Sequence, residues 1–386
     1  MSFFRDLLHH PRRLFLRRMV FQVHLWLGVL LSLYLVLISL SGALLVYHDT
    51  LTRHTLPSGL APYRPAQTAS IPSVMASAHA AFPNAAVSYL NTPSPRLPAF
   101  QLELRDRTGK PFEVIADPQT GHVSLLPRSW VNVVYDFHTE LLLGSAHGMQ
   151  WNGVGAAGLL VLTLSGILLW WRGLRSWWHG LRISFRHNWR RLNFDLHHAI
   201  GFWTLFLVSW WALSGLYFAW DKPVTAAISA LSPLVGMKTP DAIKPPATTP
   251  PATLATVLAA AHSAAPQGHL SYLVNPGLTP DDDVYAYMNL RSPEDFGHAD
   301  IVRLDARTGT VLSTWHYGQN HTLGDWLLWG MQPLHFGTFW GTGIRALWCA
   351  FGISLAALTL TGLLMYWNRY LRHRWRTLST TQPSIP

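Results

Sequence analysis

Four stretches of this 386-residue sequence contain no Asp, Glu, Lys or Arg and are each long enough to cross a lipid bilayer. They run from residue 19 to 48, 141 to 171, 196 to 220 and 346 to 368. Each is rich in Leu, Val, Ile, Phe and Trp and lacks the alternation of a half-buried strand. About 20 apolar residues in a helix span the hydrocarbon core of a membrane. The sequence therefore predicts four transmembrane helices.

The charged residues, which make up only 12% of the chain, lie unevenly around these stretches. Segments 1–20, 172–195 and 369–386 together hold 15 Lys or Arg against 2 Asp or Glu. Because basic residues in short loops stay on the cytoplasmic side, both termini are predicted to be cytoplasmic and the two long loops to face the other side. The net charge of +10 thus matches topology and anionic membrane lipid, and it argues against a nucleic acid partner. The first stretch is too long for a cleaved signal peptide and is expected to remain as an anchor.

A single cysteine, Cys349, limits the metal chemistry available to the chain. One thiol excludes a disulfide framework, and it also excludes thiolate zinc sites, iron–sulfur clusters and the C-x-x-C-H haem attachment motif. Histidine is abundant instead, with 20 copies against 19 for Asp and Glu together. Any bound iron is therefore expected to be held by His or oxygen ligands.

Comparison of the chain with itself indicates two duplicated halves. The first and third apolar stretches match through His24 and His197, each followed four residues later by Gly and 17 residues later by Ser. The second and fourth match through His138 and His335, each followed six residues later by Gly. Four Ser/Thr–Gly pairs recur along the helices: Ser41-Gly42, Ser165-Gly166, Ser214-Gly215 and Thr361-Gly362. Each half is predicted to contain a helix, an outer domain, a His-bearing segment and a second helix.

The two long loops also repeat, which predicts an α+β domain in each half. Each loop opens with a linker rich in Pro, Ser, Thr and Ala, has a helical patch at 74–82 or 254–264, and continues in a strand pattern. The strands close on similar turns at 117–121 and 305–309, where Asp begins the turn and Gly supplies a positive φ. These turn residues are expected to be structural.

The D-x-x-T-G-x-V ending of both turns resembles the PepSY domain. Two such domains between four helices resemble the PepSY-associated transmembrane family of iron-regulated inner-membrane proteins, and the likeness covers nearly the whole chain. Within that family the chain is most similar to the ferrioxamine-type siderophore reductases. The resemblance implies a b-type haem protein of the bacterial inner membrane that reduces ferric siderophore in the periplasm.

The fold prediction is an α-helical membrane protein with four transmembrane helices in two duplicated halves, each with a periplasmic α+β PepSY-like domain. The predicted segments are a basic cytoplasmic N-terminus (1–20), the first membrane helix (21–47), the first PepSY-like domain (48–137), an outer His segment with the second membrane helix (138–171), a cytoplasmic loop (172–195), the third membrane helix (196–220), the second PepSY-like domain (221–334), an outer His segment with the fourth membrane helix (335–368), and a cytoplasmic tail (369–386).

Histidines inside apolar helices are functional candidates, because burying an ionisable group in a membrane is costly unless it has a partner. A haem iron takes two axial ligands from opposite faces, and imidazoles on two different helices supply that geometry. His24 and His197 are therefore predicted to bind one haem b near the cytoplasmic face. His198 is the alternative to His197, although the spacing to the following glycine favours His197.

The second equivalent pair, His138 and His335, is predicted to bind another haem b towards the periplasmic side. A continuous helix from His335 to residue 369 would measure about 51 Å, which exceeds a hydrocarbon core of roughly 30 Å. His335 is therefore expected at or above the outer interface, unless the helix breaks near Gly341 and Gly343. The alternative ligands at this level are His48, His147 and His321.

Two haems at opposite depths predict an enzyme that moves electrons across the membrane to ferric siderophore and releases Fe(II). The cytoplasmic segments are too small for a flavin or NADPH domain, so the electron donor is expected to be the quinol pool or a separate cytoplasmic reductase. The sequence leaves open which residues contact the substrate; those expected near the outer haem are Arg345, Trp326, Trp340, His316, Tyr317 and His321.

Two other classes of function stay open from the sequence alone. One is a non-redox membrane protein whose PepSY domains act as binding or inhibitory modules. The other is a siderophore or ferrous-iron permease, which four helices without an intramembrane carboxylate support poorly. The G-x-G-x-x-G match at 153–158 enters a membrane helix without a preceding strand and is interpreted as chance.

Overall fold

The computed structural model describes residues 15–171, 177–186, 188–236, 252–277, 283–339 and 341–372. The chain divides into two compact units. The helical unit comprises residues 1–46, 134–226 and 345–386, and the sheet unit comprises residues 47–133 and 227–344. Most of the predicted N-terminus and tail, part of the loop 172–195, and Trp340 lie outside the described residues.

The structure contains ten α-helices and eight strands in its described part. The helices are α1 (Phe15–Leu45), α2 (His48–Arg53), α3 (Ile71–Ala81), α4 (Trp130–Glu140), α5 (Gly148–Trp170), α6 (Trp189–Ala219), α7 (Asp221–Leu231), α8 (Leu254–Ala264), α9 (Leu323–Phe336) and α10 (Gly341–Tyr366). The strands are β1 (Ala86–Asn91), β2 (Phe100–Arg105), β3 (Pro111–Ala116), β4 (Val123–Leu125), β5 (His269–Val274), β6 (Asp283–Asn289), β7 (Ala299–Asp305) and β8 (Val311–Trp315).

Four of these helices are long and apolar enough to cross a membrane, as predicted. They are α1, α5, α6 and the helix Gly343–Leu371, which includes most of α10. Large apolar side chains cover their outer surface; Leu30 and Leu33 in α1, for example, are 78% and 71% exposed. Exposed leucines at such density fit contact with lipid better than contact with water.

Two of the membrane helices begin earlier than the sequence predicted. Helix α1 extends back at least to Phe15, and α6 begins at Trp189, seven residues before the predicted start. The prediction placed helix ends at the first charge, but charged residues are good helix formers once they lie outside the hydrocarbon. At the start of α6 the Asn188 side chain accepts a hydrogen bond from the Arg191 backbone N–H at 3.1 Å, which caps the helix.

The sheet unit contains one antiparallel sheet of eight strands, in the order β4-β3-β2-β1-β5-β6-β7-β8. Strands β1 and β5 join its two halves through the pairs Tyr89 with Val274 and Leu90 with Leu273. The two α+β segments predicted for the two halves therefore share one continuous sheet. An edge strand presents unpaired backbone N–H and C=O groups. Pairing between β1 and β5 gives these groups hydrogen-bond partners in both halves of the sheet.

Helices α3 and α8 pack on this sheet and complete its core. Val74 and Ala78 in α3, and Val257 and Ala261 in α8, have no exposed surface. Helix α8 coincides with the predicted patch 254–264, and α3 begins three residues before the predicted patch 74–82. Both helices begin with a hydroxyl cap, since Ser70 and Thr253 each accept a hydrogen bond from the backbone N–H three residues later. Burial of each Val side chain contributes roughly 1.5–3 kcal/mol.

The two Asp–Gly turns predicted from sequence close the β3–β4 and β7–β8 hairpins. Asp117 accepts hydrogen bonds from the Thr120 N–H and hydroxyl at 2.8 and 3.0 Å, and Asp305 accepts the equivalent pair at 2.7 and 2.7 Å. Gly121 and Gly309 have φ of 70° and 71°. The prediction that these turns are structural agrees with these contacts.

Both predicted His segments are broken from the membrane helices that follow them. His138 lies in α4, which is separated from α5 by a turn in which Leu141 and Leu142 have positive φ values of 51° and 60°. His335 lies in α9, which ends where Gly337 adopts a φ of 69°. The segments 138–171 and 335–368 are therefore not single helices, and the break expected near Gly341 exists.

Candidate functional site

The helical unit contains a cavity of about 1050 Å³ lined by residues of all four long helices. This volume is at the upper end of the roughly 300–1,000 Å³ typical of small-molecule and cofactor sites. His24 from α1 and His197 from α6 both line it, as does His198. The two histidines that the sequence paired across its repeat are therefore brought to one cavity.

His24 is held by a hydroxyl on a neighbouring helix. Its Nδ1 lies 2.8 Å from Oγ of Ser165 in α5. The Ser165 hydroxyl in turn donates to the Leu162 carbonyl at 3.0 Å. The imidazole also lies beside Gly166, where an added Cβ would approach Cε1 of the ring to 3.6 Å.

His197 has the same type of environment on the other pair of helices. Its Nδ1 lies 3.1 Å from Oγ1 of Thr361 in α10 and 3.1 Å from the Leu358 carbonyl oxygen. The Thr361 hydroxyl donates to that same carbonyl at 2.7 Å. Gly362 lies against the ring, so that an added Cβ would come within 3.2 Å of Cε1.

His198 differs from its neighbour in the partner of its Nδ1. That atom lies 3.0 Å from the carbonyl oxygen of Phe194 in its own helix, and the two rings are 4.0 Å apart. The environment that repeats between α1 and α6 is therefore that of His197.

The rest of the cavity lining combines small, aromatic and basic residues. Gly28 and Gly201, four residues after His24 and His197, both line it and leave room beside the helices. Its aromatic lining includes Phe21, Trp170, Trp171, Phe194, Phe202, Tyr366 and Tyr370. Its basic lining consists of Arg17, Arg18, Arg190 and Arg369. Such a lining suits a flat apolar molecule with acidic groups at one end.

His138 has the third environment of this kind in the helical unit. Its Nδ1 lies 3.0 Å from Oγ of Ser41 in α1 and 3.1 Å from the Ile38 carbonyl oxygen. Ser41 donates its own proton to the same carbonyl at 3.0 Å. The ring is packed so tightly against Gly42 that an added Cβ would lie 2.8 Å from Cε1.

A polar network fixes the end of α4 that carries His138. The Asn152 amide in α5 donates to the His138 and Thr139 carbonyl oxygens at 2.6 and 3.2 Å. Tyr34 in α1 donates to the Asn152 side-chain oxygen at 2.6 Å. This network satisfies carbonyls at a helix end that has no intrahelical donors, and sequence reasoning missed it because Tyr34 and Asn152 are 118 residues apart.

The partner predicted for His138 belongs to the sheet unit. His335 lies in the last turn of α9, with its ring 5.5 Å from that of Phe336. Among the alternatives, His147 is an exposed residue at the start of α5 and His321 is an exposed residue just before α9. His48 lies at the start of α2, with Nδ1 3.7 Å from the Asp49 carboxylate.

The family model of the PepSY-associated TM region matches residues 21–369. The chain belongs to this family. All four predicted haem ligands lie within the matched segment, and so do the four membrane helices apart from the first turns of α1 and the last residues of the fourth. No curated protein matches the sequence.

In this PepSY-associated protein several of the residues expected near the outer haem meet within the sheet unit. His316 Nδ1 lies 2.8 Å from one Asp300 carboxylate oxygen, and the Tyr317 N–H donates to the other at 2.8 Å. The Trp329 ring lies 5.9 Å from that of Tyr317 and 5.4 Å from that of Trp326. A His–Asp pair thus stands next to an aromatic cluster.

Arg345, another residue expected near the outer haem, belongs to the helical unit and is only 5% exposed. Its Nε donates to the Val46 carbonyl oxygen at 2.8 Å, and Nη2 donates to the same atom. This contact ties α10 to the chain that follows α1. It assigns Arg345 a structural role, because a buried guanidinium so engaged is poorly placed to bind substrate.

Within the described residues no group of three or more His, Cys, Asp or Glu could hold a metal ion. This finding bears on sites built entirely of protein ligands. A haem iron takes four nitrogens from its own porphyrin and needs only two side chains. A search for three or more protein ligands therefore does not detect a haem site.

Proposed function

We propose that this protein is an electron-transfer enzyme of the bacterial inner membrane that carries two b-type haems and reduces ferric siderophore in the periplasm. The observation that carries the proposal is the shared cavity of His24 and His197. Two imidazoles from different membrane helices, each held by a hydroxyl at Nδ1, form the ligand set that a six-coordinate haem requires.

The donor set and the lining both fit a haem. With Nδ1 occupied, each imidazole presents Nε2, the nitrogen that commonly binds metal. Gly28 and Gly201 leave space beside the helices for a flat ring. Arg18 and Arg190 bring positive charge to the same cavity, where the haem carboxylates would need a partner.

The second haem rests on the sequence repeat, which pairs His138 with His335. The environment of His138 supports this assignment, because it repeats that of His24 and His197 down to the Ser/Thr–Gly pair. Duplication would account for the match between His24 and His197, and it would make His335 the counterpart of His138 in the second half.

A bound haem b supplies one-electron chemistry between Fe(III) and Fe(II). His24 and His197 would hold the iron of one haem, and the aromatic side chains of the cavity would exclude water from it. One electron reduces each ferric ion of the substrate to Fe(II), which a hard oxygen chelator binds less strongly. The quinol pool or a separate cytoplasmic reductase supplies the electron.

The sheet unit is proposed to contact the ferric siderophore. His316, Tyr317 and Trp326 provide hydrogen-bonding and aromatic groups within one cluster, and His321 lies in the same part of the sequence. Trp340, which was predicted with them, lies outside the described residues. Both termini are proposed to be cytoplasmic. Four successive membrane spans place segments 1–20, 172–195 and 369–386 on the same side, and these are the Arg-rich segments.

The proposal is tested with full-length protein purified in mild detergent. The haem content is measured by pyridine haemochrome and visible difference spectra, and two b-type haems per chain are expected. Dithionite-reduced protein, freed of excess reductant, is then mixed anaerobically with a ferric hydroxamate chelate while ferrozine traps Fe(II). We expect reoxidation of the haem with one Fe(II) trapped per electron. Protein without b-type bands would overturn the proposal and favour a non-redox PepSY binding or inhibitory protein.

A siderophore or ferrous-iron permease is the remaining alternative. Sealed proteoliposomes loaded with a reductant that cannot cross the membrane separate it from the reductase, because they distinguish electron transfer from iron transfer. The reductase produces Fe(II) on the outside while the iron inside stays constant. Uptake of iron without any reduction outside would favour the permease.

A further inference from the structure

Three histidines of the helical unit share one arrangement that the proposed function does not by itself explain. Each imidazole has Nδ1 within hydrogen-bonding distance of a Ser or Thr hydroxyl on another helix. In each case the next residue is a glycine that faces the ring. The three pairs are His24 with Ser165, His197 with Thr361, and His138 with Ser41.

The direction of these three hydrogen bonds follows from the proton count. A hydroxyl has one proton, and Ser165, Thr361 and Ser41 each donate theirs to the backbone carbonyl three residues earlier, at 3.0, 2.7 and 3.0 Å. With that proton directed at the carbonyl, each hydroxyl accepts a hydrogen bond from the imidazole. Nδ1 then carries the proton, and the lone pair lies on Nε2.

For two of the three rings the same conclusion follows from a second contact. Nδ1 of His197 and of His138 also lies 3.1 Å from the carbonyl that accepts the hydroxyl proton. A carbonyl oxygen has no proton to give. Both neighbours of Nδ1 are therefore acceptors, and only the Nδ1–H tautomer satisfies them.

We propose that Ser165, Thr361 and Ser41 are positioning residues that fix the tautomer and orientation of the haem-ligating imidazoles and lower the reduction potential of the haems. This inference rests on the proposed function. A hydrogen bond donated from Nδ1 makes Nε2 more basic, and a more basic ligand stabilises Fe(III) over Fe(II). The hydroxyls touch the imidazole and not the iron, so they act through their histidines.

Other Ser residues in these helices also donate to a backbone carbonyl. Ser165, Thr361 and Ser41 differ from them in having a histidine within hydrogen-bonding distance. Ser39 in α1 and Ser354 in α10 make the same contact with the carbonyl three residues earlier, at 3.0 and 2.7 Å, and within the described residues neither hydroxyl is hydrogen-bonded to a histidine. They lie on the same helices as Ser41 and Thr361. Ser39→Ala and Ser354→Ala are therefore matched controls for a general effect of losing a helix hydroxyl.

The test is a spectroelectrochemical titration of the full-length haem protein in detergent. Ser165→Ala and Thr361→Ala are compared with wild type, with the conservative variants Ser165→Thr and Thr361→Ser, and with the two controls. Loss of a conserved second partner of a metal ligand changes metal affinity by about 10- to 100-fold. A tenfold loss confined to Fe(III) raises a one-electron midpoint potential by about 59 mV.

We expect each alanine variant to raise the potential of one haem by at least this tenfold equivalent, the conservative variants to restore it, and the controls to leave it unchanged. Ser41→Ala is expected to shift the other haem only. Loss of haem from Thr361→Ala with retention in Thr361→Ser would also support positioning, because only the hydroxyl separates the two outcomes.

Two results would overturn the inference, and they differ from failure of the proposed function. Alanine variants that keep both haems at wild-type potentials would show that the hydroxyls are structural. Controls that shift as much as the alanine variants would show the same. Wild-type protein without b-type bands would overturn the proposed function, and the inference with it.

Discussion

The helical unit and the sheet unit treat their buried polar side chains differently. In the sheet unit, the half-buried Asp117 and the buried Asp305 accept hydrogen bonds from residues two or three positions later in the same turn, and Asp117 accepts one more from the Ala61 N–H at 2.7 Å. In the helical unit, His24 and His197 each have Nδ1 bound to a hydroxyl more than 140 residues away, and both line a large cavity.

This difference separates polar residues that shape the fold from those positioned for chemistry. A carboxylate with several local donors stabilises the turn in which it lies and has little left to offer a ligand. An imidazole fixed at one nitrogen by another helix is oriented, and its second nitrogen has a defined direction. The comparison predicts that substitutions in the two units change different measured quantities.

The largest effect is expected from removing the cavity histidines. His24→Ala and His197→Ala each take away an axial ligand, so the haem content should fall from two per chain to one, measured by pyridine haemochrome against protein concentration. The exposed His79→Ala is the control and should keep both haems. His198→Ala should do so as well. If both cavity variants keep two haems per chain, His24 and His197 are not haem ligands, and the contrast between the two units does not concern chemistry.

A graded series of glycine substitutions tests how closely the helical unit packs around its three imidazole rings. Gly42→Ala places a Cβ 2.8 Å from its histidine ring, Gly362→Ala 3.2 Å, and Gly166→Ala 3.6 Å. Haem loss or a shift of the haem spectrum should therefore decrease in that order. Alanine is a better helix former than glycine by about 1 kcal/mol, so any loss must come from the ring contact.

The control for this series is Gly343→Ala, where an added Cβ meets nothing within 4 Å. It should behave as wild type in haem content and spectrum. An effect of Gly166→Ala as large as that of Gly42→Ala would contradict the idea that contact with the imidazole determines the outcome.

In the sheet unit the largest effect is expected at Asp325, which has no exposed surface. Burial raises its pKa, but hydrogen bonds from the backbone N–H groups of Gly236, His321 and Val235 outweigh burial, and the pKa falls to about 2. A depressed pKa in the folded state stabilises the fold above the unfolded value of about 3.9. That stabilisation is lost as the pH falls from about 4 to about 2.

Asp325→Asn should therefore weaken the sheet unit by about 2 kcal/mol at pH 7, because hydrogen bonds to a charged group contribute roughly 1.5–3 kcal/mol. It should also remove the part of the acid sensitivity that belongs to this carboxylate. Hydrogen exchange of peptides from 323–336 between pH 7 and pH 2 measures both effects. The exposed Asp221→Asn, in the helical unit, is the control and should leave the exchange of these peptides unchanged. Asp325→Asn should leave the haem content unchanged, because this carboxylate stabilises only the sheet unit. Loss of haem would contradict the distinction between the two units.

The smallest effect is expected at the hairpin turns. Gly309→Ala forces a residue with a Cβ to a φ of 71°, which costs roughly 1–2 kcal/mol. Gly121→Ala should cost somewhat more, because its Cβ would also crowd Val74 at 3.3 Å. Thermal unfolding followed by near-ultraviolet circular dichroism measures both. Equal stability of Gly309→Ala and Gly309→Asn would be unexpected, since Asn tolerates this conformation better.

The sequence predicted the elements whose cause is local. Helix α8 lies where its pattern placed it, and the turns at 117–121 and 305–309 have the predicted chemistry, because Asp and Gly at those positions act within a few residues. The four membrane helices were predicted from their apolar length. Their starts were less well predicted, since a helix need not end at the first charge.

What the sequence missed depends on contacts between distant segments. The Ser/Thr–Gly pairs were visible, but only as landmarks of the repeat; nothing local to Ser165 or Thr361 indicated a histidine partner 141 or 164 residues away. The turn that separates His138 from α5 was also missed. Two leucines with positive φ form it, and leucine gives no turn signal.

The sequence by itself determined that this chain has four apolar helices, two Asp–Gly hairpin turns and histidines at matching places, because length, turn chemistry and spacing act along the chain. Only the tertiary structure decided that β1 pairs with β5 to make one sheet, and that three imidazoles are held by hydroxyls of other helices. Backbone pairing and side-chain hydrogen bonds between segments depend on which surfaces meet, and that is decided when the helices and strands pack.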